Sequence, residues 1–123
     1  MKVMLIDIDG TITNEDIRNE VSHLYPTATT TEGSVEQINK WYDEGNHITF
    51  FTAREEKDKQ ITIDWLDDKG FKYHGLIMGK PRCLNPEDEY VWIDNRKVLG
   101  VTYKGRWSEL TPATKVINIF EED

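Results

Sequence analysis

The fold of this chain is decided by Lys2-Val3-Met4-Leu5-Ile6-Asp7-Ile8-Asp9-Gly10-Thr11-Ile12-Thr13. The apolar run from Val3 to Ile8 predicts a buried strand, and it ends in two carboxylates spaced two residues apart. Open α/β sheets bind ligands at the carboxyl ends of their strands, so both acids are expected at the rim of the sheet. Gly10 permits a turn that points the two side chains in different directions. The stretch predicts one acid that binds metal or attacks an electrophile and one that moves a proton, although two ordinary turn-forming acids give the same pattern.

The composition is that of one globular domain. The chain has 123 residues, of which 37% are hydrophobic and 31% charged, so we expect a single domain over residues 1–123. The net charge of −8 makes nucleic acid an unfavourable partner. Cys83 is the one cysteine and cannot form an internal disulfide, and the sequence has neither a signal peptide nor a membrane-spanning run. A cytoplasmic protein without a membrane partner is the expectation.

The rest of the chain alternates predicted helices and strands. This order predicts an α/β fold, a three-layer α/β/α sandwich around a mostly parallel, Rossmann-like sheet. Residues 14–31 have no clean period and are interpreted as a loop or small flap. Helices are expected from the candidate N-cap Ser34 to Gly45 and over 55–69, and strands over 47–51, 73–78 and 90–93, with a possible edge strand at 116–120.

The tryptophans are expected mainly in the core. Trp41, Trp65 and Trp92 lie at positions where the pattern predicts an apolar face. Trp107 lies beside Arg106 in a predicted loop, so its place is left open.

Polar residues follow each of the four predicted strands. In a parallel sheet these strand ends share one edge, so the side chains that follow them are expected to meet. The four ends supply Asp7 with Asp9, Thr52-Ala53-Arg54, Lys80, and Asp94-Asn95.

This set of side chains suits phosphoryl transfer. Asp7 and Asp94 together would form the oxygen-rich site that Mg²⁺ prefers. Thr52, the N–H of Ala53 at a helix start, and Lys80 would hold the phosphate. One carboxylate then attacks phosphorus, while Asp9 protonates the leaving oxygen and later deprotonates the hydrolytic water.

The same residues resemble the motifs of the haloacid dehalogenase (HAD) superfamily of phosphatases, over nearly all of the chain. Asp7-Ile8-Asp9-Gly10-Thr11 is similar to motif I, Thr52 to motif II, Lys80 to motif III and Asp94 to motif IV. The resemblance implies that Asp7 is the nucleophile and a Mg²⁺ ligand, and that Asp9 is the acid/base with its main-chain carbonyl on the metal. It also implies that Asp94 binds the metal, and that the phosphate is held by Gly10, Thr52, Ala53 and Lys80.

Two features distinguish the chain within that superfamily. Asn95 stands where a second acid is common, so it is expected as a minor or indirect metal residue that weakens Mg²⁺ binding. The motifs are too close together in the sequence to leave room for a cap domain. In this respect the chain resembles the capless class, and in particular small phosphatases associated with capsule and sugar-phosphate metabolism. The flap at 14–31, a second subunit or a bulky substrate would then complete the open site. Candidates to contact the leaving group are Arg54, Arg82, Arg96 and residues 104–107.

Two alternatives to a small-metabolite phosphatase remain open. A nucleic-acid 3′-phosphatase is disfavoured by the acidic net charge and by the lack of a dense Lys/Arg tract. The second alternative is a non-catalytic, receiver-like domain that accepts a phosphoryl group. Such a domain carries the accepting aspartate after its third strand, and this alternative is disfavoured because the chain has Met78-Gly79-Lys80 there. The predicted function is Mg²⁺-dependent hydrolysis of a small phosphorylated metabolite, such as a sugar phosphate, through an aspartyl-phosphate.

Overall fold

A computed structural model describes residues 1–14 and 22–112, and for Ser22 and His23 it describes the backbone alone. The predicted edge strand at 116–120 lies outside these residues. The strands are β1 (Val3–Ile6), β2 (His47–Phe51), β3 (Gly75–Ile77), β4 (Val101–Thr102) and β5 (Thr111–Pro112), the α-helices are α1 (Ser34–Asp43) and α2 (Lys59–Asp68), and short 3₁₀ helices span Ser22–Thr27 and Glu56–Asp58.

The first three strands form a parallel sheet in the order β1-β2-β3. Ile6 pairs with Phe50, and Phe50 pairs with Leu76. A helix lies in each connection, as parallel strands require. The predicted α/β class with a parallel, Rossmann-like sheet is confirmed.

The hydrophobic core lies on one face of this sheet. Strand side chains alternate between faces, and Ile6, Ile48 and Phe50 are buried on the same one. Ile38 of α1 and Trp65 of α2 join the same cluster. Both connections step in the same direction across the sheet, so right-handed crossovers place both helices on that face. The described residues thus supply the helices for one face of the sandwich.

The helix ends differ slightly from those predicted. Gly33 is the N-cap of α1, and Ser34 is the first helical residue. The Ser34 hydroxyl donates to the main-chain carbonyl of Thr31 instead of capping the helix. Within residues 1–14 and 22–112, no helix has the length and apolarity needed to cross a bilayer.

The predicted fourth strand is not formed. Residues 90–93 pair with no strand among residues 1–14 and 22–112, and Val91, Trp92 and Ile93 are 53%, 52% and 85% exposed. The prediction that Trp92 lies in the core is therefore wrong, whereas Trp65 is buried and Trp41 packs partly against the core. Aromatic and β-branched residues favour a strand only where a neighbouring strand or layer accepts them.

Candidate active site

A cavity of about 240 Å³ contains both acids of the first motif. It is lined by Asp7, Asp9, Gly10, Thr11, Ala53, Lys80, Arg82, Cys83 and Tyr90. These residues follow β1, β2 and β3, so three of the four predicted strand ends do meet. A larger cavity of about 660 Å³ lies between the start of α1 and residues 105–108, and none of the predicted catalytic, phosphate-binding or metal residues line it. The smaller cavity is the candidate active site.

Two neighbours orient Asp7. The Thr11 hydroxyl donates to its Oδ2 over 3.0 Å, and Lys80 Nζ lies 3.7 Å from its Oδ1. Burial raises the pKa of Asp7 above its usual value, while Lys80 and the Thr11 hydrogen bond oppose the rise. The side chain is still 36% exposed. Asp7 therefore combines partial desolvation with access from the cavity, which is the placement that a nucleophile needs.

A tight turn separates the two acids. The carbonyl of Ile8 accepts the main-chain N–H groups of Thr11 at 3.1 Å and Ile12 at 2.9 Å. Gly10 has a φ of 81°, which a residue with a side chain rarely adopts. The Gly10 N–H, expected to hold phosphate, donates to Thr13 Oγ1 over 3.1 Å. Gly10 thus lines the cavity, but its main-chain N–H is already hydrogen-bonded to Thr13 within the turn.

Asp9 is fixed by a buried arginine. Arg54 Nε donates to Asp9 Oδ2 over 3.0 Å, and Arg54 Nη2 donates to Oδ1 over 2.8 Å. The arginine side chain is fully buried, its Nη1 donates to Thr62 Oγ1, and its guanidinium lies 3.8 Å over the ring of Tyr25. All three nitrogens of Arg54 are therefore engaged, so it supports Asp9 rather than contacting the leaving group.

Main-chain hydrogen bonds between the segments that follow β2 and β3 continue beyond the ends of these strands, and they bring Lys80 to the site. The N–H of Thr52 donates to Ile77, and the N–H of Lys80 donates to Thr52, each over 2.9 Å. Thr52 is completely buried, and its Oγ1 accepts the main-chain N–H of Arg54. Ala53 and Lys80 line the cavity, whereas Thr52 is not among its lining residues, and the phosphate-binding roles of all three stay predictions.

Tyr90, which sequence reasoning missed, forms the outer wall. Lys80 Nζ lies 4.3 Å from the centre of its ring. The Tyr90 hydroxyl donates to the Pro81 carbonyl over 2.6 Å. This cation–π contact and hydrogen bond hold the loop after Lys80 against the cavity.

Trp107 supports the first motif from the far end of the described chain. Its indole N–H donates to the Thr11 carbonyl over 3.1 Å and to Thr31 Oγ1 over 2.9 Å. The Thr31 hydroxyl donates to the same carbonyl of Thr11 over 2.9 Å. Because Thr11 also bonds Asp7, Trp107 helps to hold the loop that orients Asp7, and the leaving-group contact expected of residues 104–107 stays a prediction.

Asp94 does not join the other acids. Its carboxylate accepts the main-chain N–H of Arg96 and the indole N–H of Trp92, and these bonds lower the pKa of Asp94. Asp94 and Asn95 are exposed and lie outside the lining of the cavity. The expected meeting of Asp7 with Asp94 fails because the strand that would carry Asp94 to the sheet edge is not formed. The metal roles of Asp94 and Asn95 stay predictions.

Whether the cavity suits Mg²⁺ depends on the carboxylate oxygens of Asp7 and Asp9. Mg²⁺ binds one or two carboxylates and completes its shell with waters and substrate oxygens. Asp7 offers a partly exposed carboxylate, while both carboxylate oxygens of Asp9 are paired with Arg54. In the part of the chain that the structure describes, no three His, Cys, Asp or Glu side chains form a metal cluster. The site fits an ion held by few protein ligands rather than by a cage of acids.

Known proteins share this fold. Residues 4–90 match the family model described as "PITM 1-3, LNS2 domain", a family with a HAD-like phosphatase fold. A crystal structure of a structural-genomics target from Vibrio cholerae is similar, with a TM-score of 0.56, 26% identity, and coverage of 80% of this chain and 83% of that chain. No match was found among curated proteins. The resemblance to HAD-like phosphatases in general is confirmed, and the matched residues include Asp7 and Lys80 but not Asp94.

Proposed function

The chain belongs to the LNS2 domain family, a family of phosphatase type, and from this we propose that it is a Mg²⁺-dependent phosphomonoesterase acting on a small phosphorylated metabolite. One observation carries the proposal: Asp7 and Asp9 line the same cavity in different surroundings. Asp7 is partly open and faces Lys80, whereas Asp9 is locked to Arg54. Two carboxylates held in different ways suit two different catalytic roles.

In the proposed reaction, Asp7 attacks phosphorus and the bond from phosphorus to the ester oxygen breaks. The leaving oxygen takes a proton from Asp9. Water then attacks the aspartyl-phosphate, returns a proton to Asp9, and releases phosphate with Asp7 restored. Lys80, which is 3.7 Å from Asp7, balances the negative charge that accumulates on the phosphoryl oxygens.

The contact with Arg54 leaves Asp9 able to carry this proton. A carboxylate oxygen has two lone pairs, and each Asp9 oxygen gives one of them to Arg54. Asp9 also lines the cavity. Arg54 therefore fixes the direction of Asp9 without removing its capacity to bind a proton.

A bound Mg²⁺ would polarise the phosphoryl oxygens and offset the repulsion between Asp7 and the phosphate. Asp7 is the residue whose carboxylate would hold it. The main-chain carbonyl of Asp9 and the carboxylate of Asp94 are the further ligands that the HAD resemblance implies.

Phosphate release from a panel of phosphorylated metabolites tests the proposal, with Mg²⁺ and with EDTA. Sugar phosphates, including those of capsule metabolism, come first because the cavity of about 240 Å³ suits a small substrate. We expect Mg²⁺-dependent release, and the folded protein's failure to release phosphate from any member would refute the phosphatase proposal. In Asp9→Asn, we expect the phosphoenzyme to accumulate and to be visible by intact mass, and it should be absent from Asp7→Asn.

A further inference from the structure

Arg82 has an unused hydrogen-bond donor in the wall of the candidate site. Its Nη2 donates to the Ala53 carbonyl over 3.4 Å. Its Nη1 is shielded from solvent and has no hydrogen-bond partner among residues 1–14 and 22–112. A shielded charged donor without a partner is unfavourable, and Arg82 lines the candidate site, so a bound anion that draws the guanidinium toward it would supply the missing partner.

The other cations around this cavity already have partners. The three nitrogens of Arg54 bond Asp9 and Thr62. Lys80 faces Asp7, where the phosphoryl group of a substrate would lie, and its ammonium also lies over a tyrosine ring. Arg82 lines the same cavity, and its Nη1 has no partner among the described residues, so its guanidinium is the cation left for a different part of the substrate.

We propose that the substrate carries a second anionic group, a carboxylate or a further phosphate, and that Arg82 binds it. This inference rests on the proposed phosphatase function and narrows its substrate class. The contact with Ala53 holds the guanidinium plane in place, and that planar fork matches the paired oxygens of a carboxylate or phosphate. Because one cavity holds Asp7 and Arg82, both anionic groups belong to one small molecule.

Binding of matched phosphonates tests this assignment without any need for turnover. The probes are ω-phosphonocarboxylates with one, two or three methylene groups. Calorimetry in the presence of Mg²⁺ compares each acid with the carboxamide that keeps the phosphonate and replaces the carboxylate by a neutral amide. For at least one length, wild type should bind the acid about tenfold or more tightly than the amide, as for a charge-assisted contact. Arg82→Gln should bring this ratio within about twofold of unity, whereas Lys72→Gln, at an exposed cation outside the lining of the cavity, should keep it.

Three results would overturn the proposal: no binding of any acid, an acid-to-amide ratio near unity at every length, or an equal loss for acid and amide in Arg82→Gln. The last would mean that Arg82 contacts the phosphoryl group itself. If Arg82→Gln fails to fold, Arg82→Lys carries the test, because it keeps the charge and loses the fork, and the ratio should still fall by about threefold or more.

The same probes separate this inference from the phosphatase proposal. Selective binding of the acids through Arg82, without phosphate release from any ester, would refute the enzyme and leave the anion site standing. Hydrolysis of esters with no preference for a second anionic group would refute the anion site alone.

Discussion

Two regions of the molecule carry predicted site residues and differ in how they are held. The sheet region, residues 1–14 and 22–83, is joined by contacts between positions far apart in sequence, such as Asp9 with Arg54 and Trp65 with the Ala28 carbonyl. In the exposed segment, residues 84–100, the carboxylates of Asp88 and Asp94 bond positions only two to four residues away. Contacts between distant residues bring Asp9 to Arg54, whereas the local bonds of Asp88 and Asp94 do not link these carboxylates to the sheet region. Tyr90, which also belongs to the exposed segment, does line the cavity.

The family match divides the chain at nearly the same place. It runs from residue 4 to residue 90, so it covers nearly all of the sheet region and the start of the exposed segment, and it stops before Asp94. An acid placed after a strand-like run becomes part of a site only when its strand is held by the sheet. Substitutions at residues with distant partners, compared with the same substitutions at exposed positions, test this difference.

The largest effect is expected at Asp7, the proposed nucleophile. Asp7→Asn should lower kcat by about a thousandfold or more, because the neutral amide cannot attack phosphorus. Phosphate release from an active member of the metabolite panel measures it. The same change at Asp68, whose side chain on α2 is 77% exposed, should leave kcat near the wild-type value.

The substitution Asp94→Asn tests whether an acid of the exposed segment contributes to activity. It should cost less activity than Asp7→Asn, since Asp94 is exposed and outside the cavity. An equal loss would mean that the exposed segment reaches the site in the working enzyme.

A large loss of stability is expected at Arg54. Replacing it with Met leaves the nearly buried Asp9 carboxylate without its partner, which should lower the free energy of unfolding by about 3 kcal/mol. Urea denaturation followed by circular dichroism measures the change. Arg96→Met, in the exposed segment, should stay within about 0.5 kcal/mol of wild type. Similar losses in both variants would remove the distinction between the regions.

A smaller effect is expected at Trp107. Phenylalanine keeps most of the packing but removes the N–H bonds to Thr11 and Thr31, so stability should fall by about 1–2 kcal/mol. Because Thr11 orients Asp7, kcat should also fall severalfold with little change in KM. Trp92→Phe, where the ring is half exposed, is the matched control and should change stability by less than about 0.5 kcal/mol. An unchanged kcat in Trp107→Phe would show that the indole only packs.

Local patterns in the sequence were enough to predict most of the sheet region. The short apolar runs and the turn residues around β1 and β2 specify these strands, and helical periodicity specifies α1 and α2. The same reasoning failed at residues 90–93, because a short apolar run looks the same whether or not a neighbour pairs with it.

The supports of the site were beyond prediction because they depend on distant contacts. Arg54 meets Asp9 across 45 positions, and Trp107 meets Thr11 across 96. For Arg54 the sequence indicated the edge of the sheet, because Arg54 follows one predicted strand as Asp9 follows another, but it did not indicate that the two side chains bond each other. For Trp107 no local pattern separates an indole that bonds a catalytic loop from one that lies on the surface.

The smallest effect is a change of stability with pH at Tyr73, within the sheet region. Burial and the neighbouring Asp67 carboxylate raise the pKa of Tyr73 from 10 to about 12. The folded state therefore holds the phenolic proton more tightly than the unfolded chain does, so this contribution is complete below pH 10 and is lost as the pH rises toward 12. Solvent screening limits the loss to less than about 1 kcal/mol.

Urea denaturation from about pH 9 to 11.5 should show a shallower decline in the free energy of unfolding for Tyr73→Phe than for wild type, because the variant has no phenol to titrate. Equal slopes would mean that the hydrogen bond from Tyr73 to Asp67, 3.2 Å long, does not persist in solution.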